Sequence, residues 1–341
     1  MSPTDFEPLA EVLRRNGLAG VAEEPFPNDG WSGASLSLLR RGGGDRFVLK
    51  RDSLARDWIA QATADGPVLR EAWFAGHGPR LPSPIRAPYL GVGIDGETFG
   101  MLMPDLTGVL FDWEAAISIG ELDRVLAGLA ALHAYPWPEA LAQGESHWCP
   151  LRERVTLICR ASLEQPGAAR DAVGDRILPG WDAFDRLAPP EARRLIDSLG
   201  QNPRPLIDAL ARLPSTLVHG DLKLANVGIE PDGSIDFVDW QMVSVAPVAV
   251  ELGWFLVSNV ASLPVPPDAV LERYREKVEV AEWERQVDAA ILVGLLLRGW
   301  RKGADAEAGV VHASGVAAAD DLAWWCERSL EAAHRLFRRI G

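Results

Sequence analysis

The chain has 341 residues, 48% of them hydrophobic, enough to bury a substantial core and to build two lobes. Its net charge of −14 and pI near 4.9 exclude a nucleic-acid binder, which needs a basic face. Cys149, Cys159 and Cys326 have no C-x-x-C spacing, so neither a disulfide framework nor a zinc site follows, and a reducing cytoplasm fits. The N-terminus carries no basic segment followed by an apolar one, so it does not read as a signal peptide.

Residues 5–18 place Phe6, Leu9, Val12 and Leu13 on one stripe and stop at Gly17, which predicts an amphipathic helix. Strand-like pieces follow: 31–39, the turn Gly42-Gly43-Gly44, and a return strand over 46–51. A helix is expected over 67–76. Segments 89–94 and 98–103 flank Asp95-Gly96, a two-residue hairpin signal. The G-x-G-x-x-G match from Gly91 to Gly96 therefore reads as a hairpin. A dinucleotide fingerprint would need a helix to start there. After Pro104 the pattern changes. Residues 118–134 put Leu122, Val125, Leu126, Leu129 and Leu132 on one helical face. Residues 148–215 alternate helical patches with breaks at Gln165-Pro166-Gly167 and Pro179-Gly180. Residues 217–240 read as loop and hairpin, and the chain is helical again from 247. The apolar run 289–297 ends at Arg298; it is too short to span a bilayer and reads as a buried helix. The expected organisation is α+β: a small β-rich lobe, 1–103, with a leading helix, an antiparallel sheet and one packed helix, then a larger, mainly α-helical lobe, 104–341.

Chemistry concentrates in His219-Gly220-Asp221-Leu222-Lys223-Leu224-Ala225-Asn226 and, after the turn Pro231-Asp232-Gly233, in Phe237-Val238-Asp239-Trp240. An H-x-D-x-x-x-x-N loop followed by an apolar-Asp-aromatic strand supplies what phosphoryl transfer needs. Asp221 is placed to orient or deprotonate a hydroxyl. Asn226 and Asp239 offer hard oxygen ligands to Mg²⁺ held against nucleotide phosphates. Asp236, on the opposite face of the same strand, is a weaker metal candidate whose neighbours suit an exposed position. His219 reads as scaffold, packed beneath the loop and bonded to backbone, rather than as a base. Lys223 is a candidate contact for the transferred phosphate. Lys50 ends the run Phe47-Val48-Leu49, and Glu71 on the expected helix is its best partner for holding α- and β-phosphates. The segment from Gly30 to Ser35, with Ser32 and Gly33, is a candidate loop over the phosphates.

These residues resemble the aminoglycoside phosphotransferase and choline kinase group of small-molecule kinases. The likeness rests on His219-Gly220-Asp221-Leu222 with Asn226, on Ile235-Asp236-Phe237-Val238-Asp239-Trp240, on Glu251-Leu252-Gly253-Trp254, and on Leu129-Ala130-Ala131-Leu132-His133-Ala134. It implies a protein-kinase-like two-lobe fold, ATP and Mg²⁺ as cofactors, and Asp221 as catalytic residue with Asn226 and Asp239 as metal ligands. It also implies a hinge at Met101-Leu102-Met103-Pro104-Asp105 whose backbone meets adenine, and a Glu251 that braces the catalytic loop. The phosphate loop is not a clean G-x-G-x-x-G, and no A-P-E segment follows Asp239, which argues against a regulated protein-kinase activation loop.

The expected acceptor is a hydroxylated small molecule: an aminoglycoside-like antibiotic, in which case the protein would confer antibiotic resistance, an amino sugar, or another metabolite. Atypical protein phosphorylation and a non-catalytic nucleotide-binding module are the alternatives. Acidic residues such as Glu153, Asp182, Asp185, Glu279 and Glu282, with abundant tryptophan, suggest a cationic acceptor. No nucleic-acid or membrane partner is expected, and the expected location is the cytoplasm.

Overall fold

The computed structural model describes residues 2–27, 30–113, 115–138, 141, 147–165 and 168–337. Alternating apolar residues in the first hundred positions build a five-stranded antiparallel sheet. Its strands are β1 (Glu23–Pro25), β2 (Ser35–Arg40), β3 (Arg46–Asp52), β5 (Gly91–Asp95) and β6 (Thr98–Pro104), in the order β1-β2-β3-β6-β5. Lys50 on β3 lies opposite Leu36 of β2 and Met101 of β6. Helix α1 (Leu9–Arg15) covers one face, closing a small core of Leu9, Val12, Leu18, Leu39, Phe47, Leu49 and Leu102. A Cβ on Gly93 would lie 2.7 Å from Leu9 Cα, so this glycine serves the close approach of α1. The chain from Gly91 to Gly96 is strand and turn, as its hairpin signal requires.

The expected helix over 5–18 is shorter than its hydrophobic stripe. Pro8 stands just ahead of the first helical residue, and residues 3–5 form a separate 3-10 turn. A short helix that the pattern did not signal, α2 (Trp58–Ala62), is started by Asp57, whose carboxylate accepts from the Ile59 and Ala60 amides. Helix α3 (Arg70–His77) packs on the sheet through Ala72, Trp73 and Phe74.

The remainder is mostly helical. α4 (Ile119–Ala134) starts with a capping box between Ser118 and Glu121, and Leu122, Val125, Leu126, Leu129 and Leu132 are wholly buried. Short helices α5 (Leu151–Thr156) and α6 (Arg160–Leu163) lead to α7 (Ala168–Leu187), α8 (Pro190–Gln201) and α9 (Arg204–Leu210). After the loop region come α10 (Val248–Asn259), α11 (Pro267–Arg275), α12 (Trp283–Glu307) and α13 (Ala318–Phe337). The apolar run 289–297 forms the buried heart of α12, which packs against α7, α10 and α13. No described helix is long and apolar enough to cross a membrane.

Pro179-Gly180 does not break the chain: α7 runs through it. Gly180 is where α12 crosses, and a Cβ there would sit 2.5 Å from the Trp300 carbonyl oxygen. The glycine is selected for contact rather than for a turn. The other expected break, at residues 165–167, lies partly outside the described residues. Two small sheets complete the fold. β7 (Ser215–Val218) pairs with β10 (Ser244–Pro247), and β4 (Ile85–Arg86), β9 (Ile235–Phe237) and β8 (Val227–Ile229) form the order β4-β9-β8.

Candidate active site

The chain leaves β7 through His219 and turns at Gly220, whose φ of 82° and near contact with Met242 leave no room for a side chain. A Cβ there would lie 2.0 Å from the Met242 carbonyl oxygen. His219 Nε2 donates to the Val238 carbonyl at 2.9 Å, and its Nδ1 accepts the Asp221 amide at 3.2 Å. Both bonds fit one neutral tautomer, and burial pushes the imidazole down to about 4. It is a backbone clamp packed against Trp240, with the two rings tilted by 50°.

Asn226 Nδ2 donates to the Asp221 carbonyl at 2.8 Å and approaches its carboxylate at 3.4 Å, leaving Oδ1 on the other branch of the amide. The Val238 amide donates to the Asn226 carbonyl at 3.0 Å, continuing the β8–β9 register and bringing Asp239 beside the loop. Asp239 is left-handed, at φ 67° and ψ 57°, a conformation that costs an aspartate energy and turns its side chain out of the strand. There Lys50 Nζ bridges Asp239 Oδ1 at 2.7 Å and Glu71 Oε2 at 2.5 Å. Burial alone would lower the Lys50 pKa, but the Asp239 and Glu71 carboxylates reverse this and hold it above the ordinary lysine range. Burial acts to raise Asp239, and Lys50 and Lys223 more than offset it. Lys223 Nζ lies 3.6 Å from Asp221 Oδ2.

Supports surround this cluster, and of them only Glu251 was expected from the sequence. Tyr89 donates its hydroxyl to Glu71 at 2.8 Å. Arg70, buried, pairs with Asp65 at 2.5 Å and donates to the Gln241 carbonyl at 2.8 Å, fastening α3 to the turn after Asp239. Asn259 accepts the Leu224 amide at 2.7 Å. Glu251 accepts the Gly220 amide at 3.0 Å, so α10 grips the loop twice. Arg154, Trp254 and Arg298 also lie near it; the sequence signalled Trp254 through the resemblance and Arg298 as the charge ending the apolar run 289–297, but not Arg154.

The structure brings Lys50, Glu71, Asp221, Lys223, Asn226 and Asp239 together. Met101 is Lys50's register partner on β6, with its side chain buried, and Met103 is half-buried near the strand end. Ser32 and Gly33 precede β2 and are fastened to the 53–58 segment. The Ser32 carbonyl accepts the Trp58 amide, and a Gly33 Cβ would lie 2.6 Å from the Arg56 carbonyl oxygen. Among the described residues neither bonds to the cluster. Asp236 is not exposed: it is 1% exposed and bound by Arg86 at 3.0 Å, because β9 pairs on both edges and buries both its faces.

The sequence matches the phosphotransferase enzyme family over residues 26–287, more than half of its length, and the chain belongs to that family. No curated protein matches it. Among solved structures it is similar to a spectinomycin phosphotransferase crystallised with ADP and spectinomycin, at 14% identity and TM-score 0.51 over 96% of this chain and 92% of that one. It is also similar to an ethanolamine kinase from Plasmodium vivax, at 12% identity and TM-score 0.50 over 95% and 84% of the two chains. The shared feature is the fold: a protein-kinase-like arrangement of a β-sheet lobe and a larger helical part.

Proposed function

We propose that the protein transfers the γ-phosphate of ATP to a hydroxyl of a small molecule, with residues 1–103 as nucleotide lobe and 104–341 as catalytic and acceptor lobe. The observation that carries this reading is the convergence of Asp221, Asn226 and Asp239 with the Lys50–Glu71 pair. Asp221 orients the acceptor hydroxyl and takes its proton as the bond to phosphorus forms. In a loose transition state this is mainly positioning. Lys50, held by Glu71, meets the α- and β-phosphates, and Lys223 is within reach of the transferred group as a point charge. The segment with Ser32 and Gly33 covers the phosphates, and the Met101–Met103 backbone faces the base. Two oxygen donors on adjacent backbone fit Mg²⁺, which needs few protein ligands when phosphates provide the rest. Asn226 and Asp239 would hold it, and it would neutralise charge on the nucleotide's phosphate oxygens.

A complete set of these residues, each engaged in the bonds described, favours catalysis over a binding-only role. Asp221→Ala is expected to lower phosphate transfer by about 10²–10⁴-fold while nucleotide binding stays within a few-fold. Asp239→Ala should weaken Mg·ATP binding as well. Both are read by nucleotide-consumption kinetics and by calorimetric titration with a non-hydrolysable Mg·nucleotide. Undiminished transfer in Asp221→Ala would overturn the assignment.

A further inference from the structure

The acidic side chains that suggested a cationic acceptor are largely occupied by arginines of the same chain. Arg160 pairs with Asp182 at 2.7 Å and with Asp185 at 3.0 Å, and Arg285 pairs with Glu282 at 2.6 Å. Near Asp221 the situation is reversed, and two arginines have buried N–H groups with no hydrogen-bonded acceptor among the described residues. Arg154 on α5 is 1% exposed, and its Nε and Nη2 are buried with no hydrogen-bond partner among the described residues. Those two nitrogens form the side-on edge of the guanidinium fork, the edge that Arg335 uses to grip both oxygens of Asp288. Arg298 on α12 is half-buried, and its Nε is likewise buried and unpartnered. It sits where α12 kinks, with φ −130° and ψ 21° inside the helix.

Both guanidiniums rest on one indole. Arg154 Cζ is 4.6 Å and Arg298 Cζ 5.4 Å from the Trp254 ring, so the two groups are no further apart than the sum of those distances. Trp254 is one turn beyond Glu251 on α10, and Glu251 holds Gly220, the residue before Asp221. The arginines therefore flank the loop that carries Asp221. Burial lowers the pKa of both, with Asp221 the first opposing charge at Arg154 and Arg301 adding to the lowering at Arg298, which is pulled down to about 10. Arg301 is itself paired with Asp305 at 2.8 Å. Trp300, under Arg298 at 5.1 Å, meets Trp31 from the phosphate-loop segment, ring centroids 6.3 Å apart. Aromatic rings and two guanidiniums with unbonded N–H groups thus gather near the loop of Asp221. Buried charge without a partner is costly, and a protein that keeps two such groups together has a use for an anion there.

We propose that the acceptor is an alcohol bearing an oxyanion, a carboxylate or a phosphate, gripped side-on by Arg154 with Arg298 so that its hydroxyl meets Asp221. This rests on the phosphotransfer reading of the same site. The test pairs anionic alcohols with neutral or cationic ones: glycerate, gluconate and glycerol 3-phosphate against glycerol, glucose and glucosamine. Binding is titrated by calorimetry with a non-hydrolysable Mg·nucleotide present, and phosphate transfer is assayed with ATP. At least one anion should bind and be phosphorylated with tenfold or greater preference over its counterpart. Preference confined to gluconate and glycerate identifies a carboxylate site, and preference for glycerol 3-phosphate a phosphate site. Arg154→Met and Arg298→Met should each weaken anion binding at least tenfold, with nucleotide affinity within twofold and circular dichroism unchanged. Arg298→Met keeps the test open should Arg154→Met fail to fold. Equal use of neutral or cationic members, equal weakening of gluconate and glucose in the variants, or no anion binding at millimolar concentration would overturn the proposal. Anion binding without transfer to any alcohol would instead overturn the phosphotransfer reading and leave the anion site standing.

Discussion

His219 is displaced far from the ordinary behaviour of an imidazole. It is wholly buried, donates from Nε2 and accepts at Nδ1, and has no room for a second proton without breaking the bond from the Asp221 amide. Its pKa falls from 6.5 to about 4, so the stability it contributes is fully present above pH 6.5 and is lost as pH falls towards 4. A shift of that size corresponds to about 3 kcal/mol. Glu251 acts in the opposite direction: burial raises it from 4.5 to about 7, so its contribution is lost as pH rises through that window. The two are separated by comparing wild type with His219→Asn in denaturant melts from pH 7 to pH 4. The variant should lose less stability on acidification than the wild type, and parallel curves would show that His219 does not titrate there. At this scale the sequence was informative about Asp221, Asn226 and Asp239, since their spacing alone places them on one loop and the strand after it. It misjudged Asp236, because a two-residue alternation says which face a side chain takes but not that both faces are covered. Arg154 was invisible as a site residue, since an arginine in a short helix reads as solvated until its neighbours in space are known.

The hydrophobic stripes located most elements and misplaced some of their ends. α4 agrees with its pattern because Ser118 and Glu121 supply a start signal in the sequence itself. Pro179-Gly180 misled because a local rule was applied to a tertiary feature. α7 and α12 cross with backbones nearly touching, at Gly180 against the Trp300 carbonyl and at Gly303 against Phe184, where added Cβ atoms would lie at 2.5 Å and 2.3 Å. Gly180→Val is therefore expected to destabilise the fold by about 1–3 kcal/mol through overpacking. It should also disturb Arg298 and Trp300, which lie on the same stretch of α12. Urea melts should give a lower midpoint with an unchanged slope, whereas an unchanged midpoint would mean that the crossing has slack.

Across the whole molecule, the sheet lobe and the helical part are fastened by more than the connecting chain. β4, from residues 85–86, pairs with β9. Arg70 spans from α3 to Gln241, Phe74 stacks on Trp240 at 4.2 Å, and Lys50 reaches Asp239. One hydrophobic cluster runs continuously from Phe6 to Leu336. The protein should accordingly unfold in a single calorimetric transition that Mg·nucleotide moves upward, and two separate transitions would mean independent lobes. The sequence by itself determined membership of the phosphotransferase family and named the residues proposed to carry the reaction, because a nucleotide and a metal would demand fixed residue types at short spacings along the chain. The tertiary structure alone decided what stands opposite Asp221. Arg154 and Arg298 are far apart in sequence and meet only because α5 and α12 converge on Trp254, so the charge near the Asp221 loop is a product of helix packing that no local pattern encodes.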